Sequence, residues 1–158
     1  LYQNPQLSSR MRALGAGILG PKSSLDARER EIVIDRTCAR CGCEYEWGVH
    51  VAAFGNAVGL DQGRLEDTAS SSADTALWSE RERVLFTMVD ELHETATLSD
   101  AVWEQLVARW STEQLLELII IVGWYHLISF VANAARVEYE PWAARFPQKE
   151  SGKSFRDS

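Results

Sequence analysis

Apolar positions recur along this chain at spacings of three and four, in blocks separated by glycine, proline and small polar residues, and that pattern predicts helices in succession. Leu7, Met11, Leu14, Ile18 and Leu19 mark a short amphipathic helix that opens after Asn4-Pro5 and ends at Gly20-Pro21. Ser24 and Asp26 supply helix-start chemistry for DAREREIVIDRTCAR, which carries Ile32, Val33 and Ile34 into the core. The same three residues also fit a buried strand, but neither flank alternates or turns as a hairpin does, so a helix is favoured. A further helix is expected from Cys43 through Gly55, with Val49, Ala52, Ala53, Ala57 and Val58 as closely packing faces and Gly59 as its C-cap.

A short helix from Asp61 follows, then the small polar run TASSSADTA, expected to be the most mobile interior connection. Ser79-Glu80-Arg81-Glu82 is a capping box for a helix through Glu94, with Val84, Leu85, Met88, Val89 and Leu92 as its stripe. Ser99 opens another helix, with Val102, Trp103, Leu106 and Val107. Ser111 or Thr112 caps a long last helix from Glu113 to about Arg136, apolar nearly all round and therefore expected to be buried on several sides. Its run is broken by Glu117, Gly123, His126 and Asn133, and Leu118 to Tyr125 falls well short of the roughly 20 residues a span needs, so it reads as core or subunit interface. The sum is an all-α fold of about seven helices, one domain over 1–146, with 147–158 a polar tail expected to be disordered.

Composition narrows the function. With 158 residues, 46% of them hydrophobic, the chain is long enough for one domain with a real core. The formal charge of −7 gives no footprint for nucleic acid or an anionic membrane, so neither is expected as a partner. Three cysteines within six positions, Cys38, Cys41 and Cys43, do not make a disulfide framework. A reducing, cytoplasmic setting fits them, and no signal peptide is visible in a sequence that opens at Leu1 without a methionine.

The chemistry concentrates between Glu31 and His50. On a helix that turns about 100° per residue, Cys43, Glu46 and His50 share one face, and Glu31 reaches the same stripe if the chain turns back at 38–42. Glu46 and His50 at i, i+4 are placed to meet as a general acid/base pair, in which the carboxylate holds the imidazole tautomer; the plain alternative is a structural hydrogen bond. Glu31, among apolar neighbours, needs a partner, either Tyr45 or His50. Tyr45 is a candidate hydrogen-bond donor to a substrate oxygen, and Trp47 reads as core. Cys43 at a helix start is positioned for a lowered thiol pKa, although Glu46 opposes a second negative charge there. Cys38 and Cys41 form a C-x-x-C of their own. Glu31, Glu46 and His50, or the three cysteines with His50, are formally metal ligands, but no second distant pair accompanies them and neither metal nor cofactor is expected. His93 reads as a surface residue and His126 as a satisfied core histidine.

The string E-x11-C-x-x-E-x-x-x-H, formed by Glu31, Cys43, Glu46 and His50, together with LDARERE, GCEYEWGVH and the later ELIIIVGWYHLISFVANAARV, resembles the carboxymuconolactone decarboxylase family, whose other branch is of the alkyl hydroperoxidase D type. The resemblance runs over roughly residues 5–140. It implies an all-α fold assembled as a homo-oligomer (trimer, dimer or hexamer), with its active site between helices. In the hydroperoxidase branch the motif is E-x11-C-x-x-C-x-x-x-H, and Glu46 stands here where that branch has its second cysteine. The decarboxylase branch dispenses with the thiols and keeps a histidine, which matches His50. Three functions are therefore in view. The first is a cofactor-free lyase or related acid/base enzyme acting on a small carboxylated lactone or oxo acid, with His50, Glu46, Glu31 and Cys43 as site residues and Tyr45 binding substrate. The second is a thiol peroxidase using Cys43 with Cys38 or Cys41. The third is a non-catalytic oligomeric ligand-binding protein.

Overall fold

The structure is a computed structural model, and it describes residues 4–71, 73, 74 and 76–148. Ser72 and Thr75 of the small polar connection and residues 149–158 of the tail lie outside the described residues. Among the described residues seven α-helices follow one another: α1 Pro5–Ile18, α2 Ala27–Arg40, α3 Glu44–His50, α4 Gln62–Thr68, α5 Glu80–Thr95, α6 Asp100–Val107 and α7 Thr112–Ala134. Among the described residues there is no strand, so Ile32, Val33 and Ile34 are helical and fully buried.

Local chemistry accounts for the boundaries. The Asp26 carboxylate caps α2 by accepting from the backbone N–H groups of Arg28 and Glu29. Reciprocal capping boxes, Ser79 with Glu82 and Ser111 with Gln114, start α5 and α7. The turn from α2 to α3 is closed by Cys43 N donating to Cys38 O (2.9 Å) and Gly42 N to Ala39 O (3.0 Å), with Gly42 at φ +60°, a left-handed position that glycine takes without strain. That turn folds α3 back along α2 and sets Cys43 beside the end of the helix carrying Glu31.

Helix α2 is the hub of the bundle and packs against α3, α4, α5 and α7. Two of its charged residues, Arg36 and Glu29, are buried with partners. The Arg36 guanidinium, 1% exposed, makes a two-pronged contact with Asp90 (both 2.8 Å) and donates to the carbonyls of Thr68 and Ser70. Glu29 accepts from Arg81 and from Trp110 Nε1. The segment after α7 returns over α3, where Ala144 N donates to Gly48 O (3.0 Å) and Phe146 rests on Trp47, ring centroids 5.1 Å apart. Only glycine fits at 48, since a Cβ there would stand 2.0 Å from the Ala144 carbonyl oxygen.

Two expectations change. The helix expected through Gly55 is α-helical only to His50 and continues as a π-helical turn, Val51–Gly55. Within that turn Gly55 lies against Leu65 of α4, where a Cβ would come within 2.8 Å of a leucine methyl. Helix α7 is not enclosed on several sides: Leu115, Leu118, Ile121, Val122 and Tyr125 enter the core, while Leu116, Ile120, Leu127 and Phe130 are exposed. By length and composition it is the one helix among the described residues that would reach across a membrane. Its inner face forms part of the bundle core.

Candidate active site

The turn at 41–43 and the packing of α7 on α2 bring three side chains into one buried line. His50, the last residue of α3, is 5% exposed, and its Nδ1 lies 2.8 Å from Oε2 of Glu31, itself 2% exposed. A carboxylate only accepts, so Nδ1 carries a proton, and in the neutral ring Nε2 is then the acceptor. The Tyr125 hydroxyl of α7 donates to that Nε2 at 3.0 Å, its ring edge-on to the imidazole at 87°. Both imidazole nitrogens are thus committed, one to a carboxylate and one to a phenol. Phe54, from the π-helical turn, covers the ring at a centroid distance of 5.2 Å and is half exposed to the outside.

The surroundings are strongly perturbed. Burial pushes the Tyr125 hydroxyl well up, and Cys38, Glu31 and Glu46 add to the rise, so it remains a phenol. Burial raises the Glu46 carboxyl as well, with His50 pulling the other way. Glu46 is half-buried and close enough to feel the imidazole, but the carboxylate that meets Nδ1 is that of Glu31, not the i, i+4 partner expected to hold the tautomer. Of the two partners proposed for Glu31, the one found is His50. Its other oxygen, Oε1, faces Arg30 Nε at 3.8 Å.

The thiols sit close to this line and none is paired in a disulfide. Cys43 is the N-cap of α3 and is fully buried. Burial raises its pKa, outweighing the backbone N–H groups of Glu46 and Tyr45 and the Ser129 hydroxyl, which act the other way. The lowered thiol expected from the helix start alone is therefore reversed. Cys38 is buried and its pKa is driven well up by desolvation, with Glu46 and Asp35 adding to it. Tyr45 lies apart from the imidazole line and borders a surface cleft of about 480 Å³ together with Glu44, Asn133, Arg136 and Tyr139. Trp47 is core, its indole N–H donating to Thr68 Oγ1 at 2.9 Å.

Two residues of the site were not singled out by sequence. Tyr125 reads as one more large residue of an apolar helix, 75 positions from its partner. Asp35 lies one turn after Glu31 on the same face of α2 and is 1% exposed, and among the described residues neither carboxyl oxygen finds a hydrogen-bond partner. Burial lifts its pKa well above the usual carboxylate range, and the nearby Glu31 adds to the rise. Its i+4 spacing from Glu31 was the available signal. His93 is half-buried, not a plain surface residue, and its Nδ1 lies 3.0 Å from Nε2 of His126.

Known proteins agree with this architecture. A crystal structure from Agrobacterium tumefaciens, described as a protein of unknown function and putative antioxidant defence protein AhpD, superposes with a TM-score of 0.79 at 20% identity, covering 88% of this chain and 94% of that one. An uncharacterized peroxidase-related protein from Silicibacter sp. gives a TM-score of 0.77 at 18% identity, covering 91% of this chain and 76% of that one. At these identities the likeness is one of fold. No curated protein matches the chain significantly. The model of the carboxymuconolactone decarboxylase family matches residues 5–90, a stretch that contains α1 to α4, Glu31, all three cysteines and His50. The chain belongs to the carboxymuconolactone decarboxylase family.

Proposed function

We propose that this protein is a cofactor-free acid/base enzyme of the carboxy-lyase kind, acting on a small carboxylated lactone or oxo acid. The observation that carries the reading is the Glu31–His50–Tyr125 line, a carboxylate, an imidazole and a phenol in hydrogen-bond contact and shielded from water. In the reaction, the bond from the substrate carbon to its carboxylate breaks, CO2 leaves, and the electron pair stays behind as an enolate conjugated with the neighbouring carbonyl. The enolate carbon then takes a proton from the Tyr125 hydroxyl as Tyr125 takes one from Nε2–H of the imidazolium form of His50. Glu31 holds that form through Nδ1. The product state has neutral His50 accepting from Tyr125 across the 3.0 Å contact between them, and the ring takes up one proton from solvent when the next substrate anion binds. Burial disfavours the charged form of Glu46, which lessens its repulsion of an anionic substrate.

The reading carries a homo-oligomer with it, supported by the exposed apolar side chains of α7. The thiol-peroxidase alternative has support in the names of the two structural neighbours. It is the weaker reading, because burial raises both Cys38 and Cys43 and Glu46 replaces the second motif thiol.

The test is CO2 release from a panel of small carboxylated lactones and oxo acids. Turnover by the wild-type chain should fall by about 10²–10⁴-fold in His50→Gln. No CO2 release, together with peroxide consumption that is lost in Cys43→Ser, would replace this reading with the thiol one.

A further inference from the structure

Outside the buried line, three side chains from three helices converge without any role in the proposed reaction. Cys41 closes α2, His93 lies in the last turn of α5 and His126 lies midway along α7. Their ligating atoms, Cys41 Sγ, His93 Nδ1 and His126 Nε2, all lie within 4.8 Å of one another. Sγ to Nδ1 is 4.0 Å and Nδ1 to Nε2 is 3.0 Å. A tetrahedral ion with bonds of about 2.0–2.1 Å to nitrogen and about 2.3 Å to sulfur spaces its ligand atoms roughly 3.3–3.6 Å apart. Shifts of about an ångström or less in these half-buried side chains bring the atoms to that spacing.

The orientation of the rings supports the same use. Nδ1 of His126 donates to the Val122 carbonyl at 2.8 Å, one turn earlier on α7. That bond fixes the tautomer and aims the Nε2 lone pair at the cluster, the outer-shell arrangement that metal-ligating histidines commonly have. The Asn133 side chain likewise pins the Cys41 backbone by donating to its carbonyl at 3.0 Å. Two imidazoles and a thiol from distant parts of the chain, each held in place, are more than a bundle surface requires.

We propose that Cys41, His93 and His126 form a site for a borderline-soft transition-metal cation of the Zn2+ class, with three protein ligands and the fourth position open to water or a small ligand. Thiolate and imidazole donors select such ions over Mg2+ or Ca2+. Binding releases the Cys41 thiol proton to solvent and moves the His93 ring proton from Nδ1 to Nε2, so that a metal–sulfur bond and two metal–nitrogen bonds form with one proton released overall.

The probe is Co2+, titrated into the whole chain under a non-thiol reductant. The site predicts one equivalent bound, intense visible bands of a tetrahedral ion, a thiolate-to-cobalt band in the near ultraviolet, and displacement by Zn2+. Cys41→Ser should remove the ultraviolet band, His93→Ala should weaken binding at least tenfold, and Cys43→Ser should leave both unchanged. His93 is half-buried, so His93→Ala keeps its fold and serves as the second variant should Cys41→Ser fail to fold. Absence of the sulfur band in the wild type, or a band that survives Cys41→Ser or needs Cys43, would overturn the site.

Discussion

The buried line of Glu31, His50 and Tyr125 and the half-buried cluster of Cys41, His93 and His126 both draw on α2 and α7, the first adding His50 from α3 and the second His93 from α5, and both use imidazole. They differ in what each imidazole nitrogen faces. His50 has an acceptor on one side and a donor on the other, so protons can pass through it. In the cluster, lone pairs converge on a common point, and one proton between His93 and His126 holds together what a cation would hold better. Burial separates them as well: His50 is 5% exposed and sealed among core residues, whereas every member of the cluster reaches solvent. Neighbours decide whether a histidine relays or ligates.

The difference is broken most sharply by activity. His50→Gln should cost about 10²–10⁴-fold in turnover, while His93→Ala, which touches only the cluster, should leave CO2 release near the wild-type rate. Equal losses in both would erase the distinction.

A smaller effect concerns Asp35, which belongs to the buried region and has no counterpart in the cluster. Its folded pKa lies above its unfolded value, so between the ordinary carboxylate range and that raised value the folded state holds the extra proton. Stability therefore falls as pH rises through that window and is greatest on its acid side. Asp35→Asn removes this slope and should be more stable than the wild type at pH 8, by about 1–3 kcal/mol, yet close to it near pH 4. Denaturant melts at the two pH values measure this, and a variant destabilised at pH 8 would contradict the assigned protonation. Tyr125→Phe should cost less, about 1 kcal/mol, for the lost hydrogen bond to Nε2. An unchanged melt would mean that the phenol does not contact the ring.

Much of the fold was legible because its signals are local. Caps such as Asp26, Ser79 and Ser111 and the stripe of α5 set element boundaries within a few residues. The return of Glu31 toward His50 was also readable, since Gly42 marks a turn between two short helices. Pairing across the bundle was not. Glu46 sits at the ideal spacing from His50, yet the carboxylate that reaches Nδ1 comes from 19 residues away on a neighbouring helix. Tyr125 gave no signal because a tyrosine in an apolar helix reads as core, which it also is. Which side of α7 the single chain leaves exposed was not legible, because periodicity reports how apolar a face is, not whether one chain has enough partners to cover it.

The central claim is that His50 stands as a proton relay between Glu31 and Tyr125. The most direct test is the tautomer of its ring, read by two-bond proton–nitrogen correlation in the labelled protein at neutral pH and assigned among the three histidines by loss of the signal in His50→Gln. The account predicts a ring protonated at Nδ1 and bare at Nε2, with the Nε2 resonance moving in Tyr125→Phe. A neutral ring carrying its proton on Nε2, or one that exchanges freely with water and does not respond to Tyr125→Phe, would contradict it.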